Sequence, residues 1–313
     1  MDSNQTRRKF IKNVAASSLF MSPLIFDQAS LLGANTTADL PDLYIFSKHL
    51  QFLNYRDMSE AAAEMGFNGV DLTVRPKGHV LPERVTQDLP QATEAMKSFG
   101  LKTDLITTKV NNIDEPIQKK VIETAQKSGY KYYRTDWFRY NDQAVKEVQT
   151  KAKFHLQKIS DYNKNLGISG AYHNHSGNFA GSSIWELYEL LKGLDSKYLG
   201  CQYDIMHATV EGGKNWEYGL ELIHPLINSI VLKDFKWQKV GGNWKLVNVP
   251  LGEGMVDFKK YFGLLQAYGI HVPISLHVEY DLGGAEHGAT PKISNKEVFS
   301  RIKKDLDFIQ STW

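Results

Sequence analysis

The 313-residue chain is long enough for one large domain or two small ones, and its composition is that of a globular protein, with 42% hydrophobic and 23% charged residues. The formal net charge of +2 comes from residues 1–34, so the remainder is balanced, which argues against a nucleic-acid-binding surface. The single cysteine, Cys201, excludes an intrachain disulfide.

The first segment has the pattern of an export signal. TRRKFIK, residues 6–12, contains two arginines, a spacer and then Phe-Ile-Lys, as twin-arginine (Tat) signals do. The apolar stretch that follows is short and is broken by Pro23, so it does not predict a membrane span. We expect residues 1–38 to be a Tat-type signal peptide and linker, which places the protein in the periplasm without a stable membrane anchor. The alternative is an ordinary basic, amphipathic amino terminus.

Beyond this leader, short β-rich runs alternate with helix-like segments. The runs are LYIFS (43–47), GVDLTV (69–74), KTDLITT (102–108), KYYRT (131–135), ISGAYH (168–173), LGCQYD (199–204), NSIVLKD (228–234) and PISLHVE (273–279). Several of the helical segments end on a glycine, where a left-handed C-cap belongs. These glycines are Gly66, Gly100, Gly129, Gly167 and Gly269.

This rhythm predicts the fold class. Eight strand–helix units over residues 39–313 are typical of a single-domain (β/α)8 TIM barrel. A doubly wound open sheet is the alternative, but no G-x-G-x-x-G follows the first strand, which counts against it.

Ionisable residues gather where the predicted strands end, which is where barrel enzymes carry their active sites. In strand order they are His49; Arg75 and His79; Lys109; Arg134 and Asp136; His173 and His175; Asp204 and His207; Lys233 and Asp234; and His277 and Glu279. Structural roles are the alternatives: Asp204 would cap the segment after it, and Lys233 with Asp234 would form a surface pair. Histidines and carboxylates together suit a divalent ion such as Zn, Mn or Co.

Several motifs, in their order along the chain, resemble the xylose isomerase-like TIM barrel family of sugar phosphate isomerases and epimerases, with endonuclease IV as a remoter relative. They are FSKHLQF, GVDLTVRPKGHVLPE, AYHNHSGNF, YDIMHATVEGG, VLKDFKW, VPLGEGMVDF and PISLHVEY, and they span about residues 40–313. In many members of this family a metal is held by Glu on strand 5, Asp on strand 6, His on strand 7 and Glu on strand 8.

The resemblance implies a ligand set with one departure. His173 stands at the strand-5 position, Asp204 and Glu279 match the family, and Val231 stands where the strand-7 histidine belongs. The implied metal ligands are therefore His173, Asp204 and Glu279, helped by His175, His207 or His277. Alternatively the metal is lost and Lys233 supplies the positive charge.

The chemistry implied by the resemblance is proton abstraction beside a carbonyl. Glu279 is the expected base, and His175, His207 or Lys233 would handle the second proton. The candidate substrate-binding residues are His49, Arg75, His79 and Trp237, with Trp137, Phe138 and Trp244 as further rings that could stack on a sugar. The segment between strand 7 and the helix after it is predicted to be a long loop, and within it GEG, residues 252–254, predicts a tight turn near the mouth of the site.

We therefore expect a divalent-metal-dependent isomerase, epimerase or β-elimination lyase acting on a non-phosphorylated sugar, keto-sugar or polyol. A sugar-binding barrel that has lost the metal and catalysis is the main alternative. An endonuclease IV-type phosphodiesterase is disfavoured by the balanced charge and the export signal. A homo-oligomer is compatible with the sequence.

Overall fold

The computed structural model describes residues 39–313. The predicted signal peptide and linker, residues 1–38, lie outside the described residues. Within the described part, no helix combines the length and the apolar character that crossing a membrane requires.

Eight parallel strands close into a barrel, which confirms the predicted (β/α)8 architecture. The barrel strands are β1 (Leu43–Phe46), β2 (Gly69–Val74), β3 (Leu105–Thr108), β4 (Tyr132–Arg134), β5 (Ser169–His173), β6 (Leu199–Asp204), β7 (Ile227–Leu232) and β10 (Ile274–Leu276). Strand β1 pairs with both β2 and β10, so the sheet has no free edge. This closure excludes the doubly wound open sheet.

Helices surround the barrel. In chain order they are α1 (Tyr55–Met65), α2 (Val85–Ser98), α3 (Pro116–Lys127), α4 (Val145–Leu166), α5 (Ile184–Leu191), α6 (Ile205–Gly212), α7 (Trp216–Ile223), α8 (Phe258–Ala267) and α9 (Asn295–Thr312). The predicted helix-ending glycines all have positive φ: 95° at Gly66, 74° at Gly100, 91° at Gly129, 73° at Gly167 and 64° at Gly269. This backbone region costs a glycine little, which confirms their role as helix stops.

Alternating strand residues build two different environments. Outward-facing residues such as Val70, Leu72 and Ile106 join the buried apolar core that lies under the helices. The inward-facing Asp71 carboxylate instead accepts hydrogen bonds from Thr107 Oγ1 at 2.9 Å and Ser275 Oγ at 2.7 Å. The inside of the barrel is therefore polar below the level at which the strands end.

The segment between β7 and α8 contains a hairpin where the sequence predicted only a long loop. Strand β8 (Asp234–Val240) pairs antiparallel with β9 (Asn243–Val249). Gly241 and Gly242 connect the two strands with φ of 60° and 84°. A two-residue turn with positive φ at both positions fits the right-handed twist of a hairpin, and Gly-Gly is one of its sequence signals. That signal is present in VGGNW.

The GEG turn wraps around the carboxylate of Asp234. Gly252 N and Gly254 N donate hydrogen bonds to Asp234 Oδ2 at 3.0 and 2.8 Å, and Val256 N donates to Oδ1 at 3.2 Å. A Cβ on Gly254 would lie 2.2 Å from Asp234 Oδ1, so only glycine fits there. The predicted tight turn is present, and Asp234 is a buried anchor for it rather than half of a surface pair.

Asp305, on α9, accepts a hydrogen bond from the segment next to this turn, and its titration makes the stability of the fold depend on pH. Its buried carboxylate accepts from Leu251 N at 3.1 Å, and burial raises its pKa to about 7. The unfolded chain releases this proton near pH 4, so the stabilising contribution is complete below about pH 4 and is lost as the pH rises through 7. We expect Asp305→Asn to gain on the order of 3 kcal/mol relative to wild type between pH 4 and pH 8. Urea unfolding of wild type and Asp305→Asn at pH 4 and pH 8 measures the difference in their free energies of unfolding. A difference that is the same at both pH values would contradict the prediction.

Candidate functional site

A cluster of charged and imidazole side chains fills the mouth of the barrel, where the strands end. We call it the Lys233 cluster after its central residue. Its members are Lys48, His173, Asp204, His207, Lys233 and Glu279. They come from the segments that follow β1, β6, β7 and β10 and from the last residue of β5 and β6, so barrel closure brings them together.

Lys233 places its ammonium among the donor atoms of its neighbours. Its Nζ lies 3.1 Å from Asp204 Oδ2, 2.6 Å from His207 Nε2 and 3.8 Å from Glu279 Oε2. The side chain is 2% exposed. Lys233 directly follows β7 and shares the inward face with Val231, two residues earlier. The positive charge is therefore buried and balanced by two carboxylates.

The hydrogen bonds around Asp204 fix which imidazole nitrogens carry protons. Since an ammonium only donates, His207 Nε2 accepts from Lys233, and His207 Nδ1 then donates to Ser176 Oγ at 2.8 Å. His173 Nε2 lies 3.1 Å from Asp204 Oδ2 and must donate to that carboxylate. Asp204 also accepts from His207 N through Oδ1, so it caps α6 as well as binding Lys233.

The histidines of the site are held neutral. Burial lowers the pKa of His173 and His207 well below the usual value, and the positive charge of Lys233 adds to this. Burial, with Lys233, lowers the pKa of His175 to about 4. The His175 and His207 rings lie 4.0 Å apart between centroids, and His173 and His175 lie 5.8 Å apart. The two histidines of AYHNH therefore do face one site.

Glu279 is the acidic group of the cluster that reaches the solvent. Its side chain is 25% exposed, and Lys48 Nζ lies 3.1 Å from its Oε1 while Lys233 lies behind its Oε2. Burial acts to raise the pKa of Glu279, but the charges of Lys233 and Lys48 outweigh burial and hold that pKa well below the usual value. The carboxylate is thus ionised and open to the mouth.

Two of the predicted substrate-binding histidines hydrogen-bond to the local backbone. His49 is buried, and its Nε2 accepts from Val278 N at 2.9 Å. His79 Nε2 donates to Leu53 O at 3.2 Å, and burial lowers its pKa to about 4. Arg75 does lie at the mouth, with its guanidinium carbon 5.4 Å from the centre of the Phe46 ring.

The predicted sugar-stacking rings fall into two groups. Trp237 and Trp244 lie on the β8–β9 hairpin and are exposed, and neither contacts the Lys233 cluster. Trp137 lies at the site, since its Nε1 donates to His173 O at 2.9 Å and its ring lies 5.0 Å from that of His175. Phe138 is buried against Tyr172. The hairpin reaches the site through Asn248, whose Nδ2 donates to Glu279 O at 3.3 Å.

Sequence reasoning missed the role of Lys48. This residue stands beside His49 in FSKHLQF and lies in a 3-10 turn, Ser47–Leu50, where strand parity no longer says which side chain points inward. A cavity of about 470 Å³ was also not foreseen. It adjoins the site at Asp136 and Trp137, and its lining includes Asn111 and Gln118 but no member of the Lys233 cluster.

Three residues offer ligand atoms that could surround a metal ion. His173, Asp204 and His207 place one ligand atom each within 4.8 Å of the others, and all three are buried. This grouping contains His173 and Asp204 from the predicted set and has His207 in place of Glu279. Val231 lies next to Asp204 in the sheet, is buried and has no ligand atom.

The chemistry of the donor set does not fit a divalent ion while Lys233 keeps its place. An ion bound about 2.1 Å from Asp204 Oδ2 and His207 Nε2 would lie about 3 Å from the ammonium. At an effective dielectric constant of about 20, that repulsion is roughly 10 kcal/mol. In addition, His173 Nε2 carries the proton that it donates to Asp204, so its lone pair is not available there. The divalent ion stays a prediction, which elemental analysis decides.

Comparisons with known proteins agree on the architecture. Residues 59–307 match the family described as "Xylose isomerase-like TIM barrel". No curated protein sequence matches the chain. Among solved structures, the chain is similar to an IolI protein with a bound zinc atom, with a TM-score of 0.66 and 16% identity over 87% of this chain and 99% of that one.

Two further structures extend the likeness. D-psicose 3-epimerase with D-tagatose from Clostridium cellulolyticum H10 has a TM-score of 0.64 and 12% identity, over 87% of this chain and 99% of that one. A xylose isomerase-like TIM barrel protein from Mycobacterium smegmatis in complex with magnesium has a TM-score of 0.61 and 12% identity, over 85% of this chain and 98% of that one. At such identities the likeness shows the fold, and the site must carry the functional argument.

Proposed function

Because the chain belongs to the xylose isomerase-like TIM barrel family, we propose that it is an isomerase, epimerase or related lyase that removes a proton beside the carbonyl of a non-phosphorylated sugar, keto-sugar or polyol-derived substrate. Similar structures include a D-psicose 3-epimerase, which supports this class of reaction. The observation that carries the proposal is the position of Glu279. Its ionised carboxylate lies at the open mouth of the barrel, between the ammonium groups of Lys48 and Lys233.

Glu279 is the proposed base. It is accessible, whereas Asp204 and Lys233 are almost fully buried behind it. A base must accept a proton readily, and the low pKa of Glu279 in the free protein works against this. A substrate oxygen that draws Lys48 away from Oε1 would remove part of the attraction that lowers this pKa. The substrate would thus activate its own base on entering.

Lys48 is the proposed group that stabilises the enediolate. Its side chain is 19% exposed, so a substrate oxygen can reach Nζ, and a hydrogen bond from a cation to a developing oxyanion strengthens as the charge grows. Burial lowers the pKa of Lys48, which the charge of Glu279 partly opposes, so this ammonium also gives up a proton more readily than an exposed lysine.

Lys233 is the proposed resident cation of the site. Its positive charge neutralises Asp204 and holds Glu279 ionised. A metal ion at this position would have the same two effects. If a divalent ion displaced it, His173, Asp204, His207 and Glu279 would be the residues to hold that ion, and it would polarise a substrate carbonyl as a Lewis acid.

His207 and Ser176 provide a path for the second proton. The chain Ser176 Oγ, His207 Nδ1, His207 Nε2 and Lys233 Nζ is continuous, with contacts of 2.8 and 2.6 Å. His175 packs against His207 and shields this chain from the solvent. Export by the twin-arginine pathway is part of the proposal and is supported by TRRKFIK, residues 6–12.

Solvent exchange at carbon tests this function even when the product is unidentified. The protein, dialysed against EDTA, is incubated in D2O with a panel of aldoses, ketoses and hexuronates, and proton NMR follows the loss of carbon-bound hydrogen. We expect exchange beside the carbonyl of at least one compound. Binding of a panel sugar without any exchange would instead support the alternative of a non-catalytic sugar-binding barrel.

A further inference from the structure

Arg134 is a buried cation that has no counter-ion of its own. It ends β4, it is 2% exposed, and its Nε and Nη2 are buried without a hydrogen-bond partner. Its guanidinium carbon lies 4.4 Å from the centre of the Trp137 ring. Within residues 39–313 it forms no ion pair. Burial lowers its pKa to about 10, a value at which it is still charged.

The stacking on Trp137 does not compensate for this burial. A cation–π contact stabilises a cation by less than the cost of taking that ion out of water without a partner. Buried donors that lack a hydrogen-bond partner add to this cost. The free protein therefore holds Arg134 in a state that an incoming anion would relieve.

Arg75 adds a second positive charge at the same place. It follows β2 directly, and its side chain forms no ion pair with any residue of the described part of the chain. Its charge acts on Arg134, contributing to the lowered pKa of that group after burial. The two guanidinium groups thus repel each other at the β2–β4 side of the mouth.

The nearby carboxylates are engaged elsewhere. Asp71 is hydrogen-bonded by Thr107 and Ser275. Asp136 Oδ1 lies 3.0 Å from Lys109 Nζ. Glu279 lies between Lys48 and Lys233. The side of the mouth built from β2 and β4 therefore has an excess of positive charge.

We propose that the substrate carries a carboxylate, and that Arg134, with Arg75 beside it, binds this carboxylate at the β2–β4 side of the mouth. The inference rests on the proposed function and narrows its substrate to a sugar acid, such as a hexuronate or its keto derivative. Trp137 connects the two halves of the site, because Arg134 stacks on its ring and its Nε1 donates to His173 O. The carbon chain would then extend towards Glu279.

Calorimetric titration measures this preference directly. The pairs are D-glucuronate against D-glucose and D-galacturonate against D-galactose, with D-glucose 6-phosphate as a different anion. We expect the wild type to bind at least one uronate about tenfold more tightly than its neutral sugar, as a charge-assisted bidentate contact provides. Equal affinity within both pairs, or tighter binding of the phosphate than of both uronates, would overturn the assignment.

Arg134→Met removes the charge and keeps most of the side-chain volume, and Arg139→Met is the matched control, because Arg139 also stacks on a ring, that of Phe179, but is exposed. We expect Arg134→Met to abolish the uronate preference, to leave the affinity for neutral sugars unchanged and to melt no lower than wild type. Arg139→Met should keep the preference. A preference that survives in Arg134→Met, or a lower melting temperature with the preference intact, would show a structural role instead.

The two proposals fail in different ways. Solvent exchange on a neutral sugar, without any preference for uronates, would remove the carboxylate site and keep the proposed function. A uronate preference that depends on Arg134, without exchange on any compound, would keep the carboxylate site and remove the proposed chemistry.

Discussion

Lys233→Met is expected to lose the exchange activity by about 10³-fold and to gain a divalent-metal site. The activity falls because Lys233 no longer positions Asp204 and Glu279, and because the proton path through His207 loses its end. Metal binding appears because removing the ammonium removes a repulsion of roughly 10 kcal/mol from the position among His173, Asp204 and His207. Breaking a buried ion pair also destabilises the fold by about 3 to 5 kcal/mol.

Thermal unfolding of wild type and Lys233→Met, with and without Zn²⁺ or Mn²⁺, tests whether the variant has gained a metal site. The variant should melt below wild type and recover when the ion is added, whereas the wild type should not respond. Lys109→Met is the matched control, since it removes a lysine that pairs with Asp136 at the same mouth but outside the Lys233 cluster. A wild type stabilised by these ions as strongly as the variant would contradict this account.

Glu279→Gln is expected to reduce exchange by about 10³-fold while leaving the fold and substrate affinity nearly unchanged. The amide keeps the shape of the side chain but cannot accept the carbon-bound proton. Because Glu279 is partly exposed, leaving Lys48 and Lys233 without its charge costs less than breaking a fully buried pair.

Single-turnover measurement of hydrogen exchange reports the rate of proton abstraction, and calorimetric titration with the same compound reports its affinity. Together they separate a loss of the base from a loss of substrate binding. Glu253→Gln serves as control, because Glu253 is an exposed glutamate of the GEG turn that pairs with Lys304. If Glu279→Gln exchanged as fast as wild type, the base would have to be another residue, and the proposed function would lose the observation that carries it.

The barrel could be predicted because its signals are local. Strands of β-rich residues end at turns, and helices end on glycines such as Gly66 and Gly167, where the backbone needs positive φ. The ends of the predicted strands then indicate which residues meet at the mouth of the barrel, and His173, Asp204 and Lys233 do lie together there. The β8–β9 hairpin has a local signal too, in Gly241 and Gly242, although the sequence prediction gave only a loop there.

The roles of individual side chains depend on contacts that sequence spacing does not encode. His49 and His79 bind backbone groups, Val278 N and Leu53 O, which come from other elements. Lys48 reaches Glu279 across 231 positions of sequence from a turn without strand parity. Such partners are set by barrel closure, so the position of a residue near a strand end indicates neither the backbone contacts of His49 and His79 nor the contact of Lys48 with Glu279.

Elemental analysis of the protein, purified without chelator, tests whether Lys233 stands in place of an ion. It is best made on wild type, Lys233→Met and the double variant Lys233→Met with Asp204→Ala. We expect no stoichiometric Mn, Co or Zn in wild type, a bound ion in Lys233→Met, and none in the double variant. A stoichiometric ion in wild type would show that Lys233 does not replace an ion, and the divalent metal predicted from the sequence would be the cofactor.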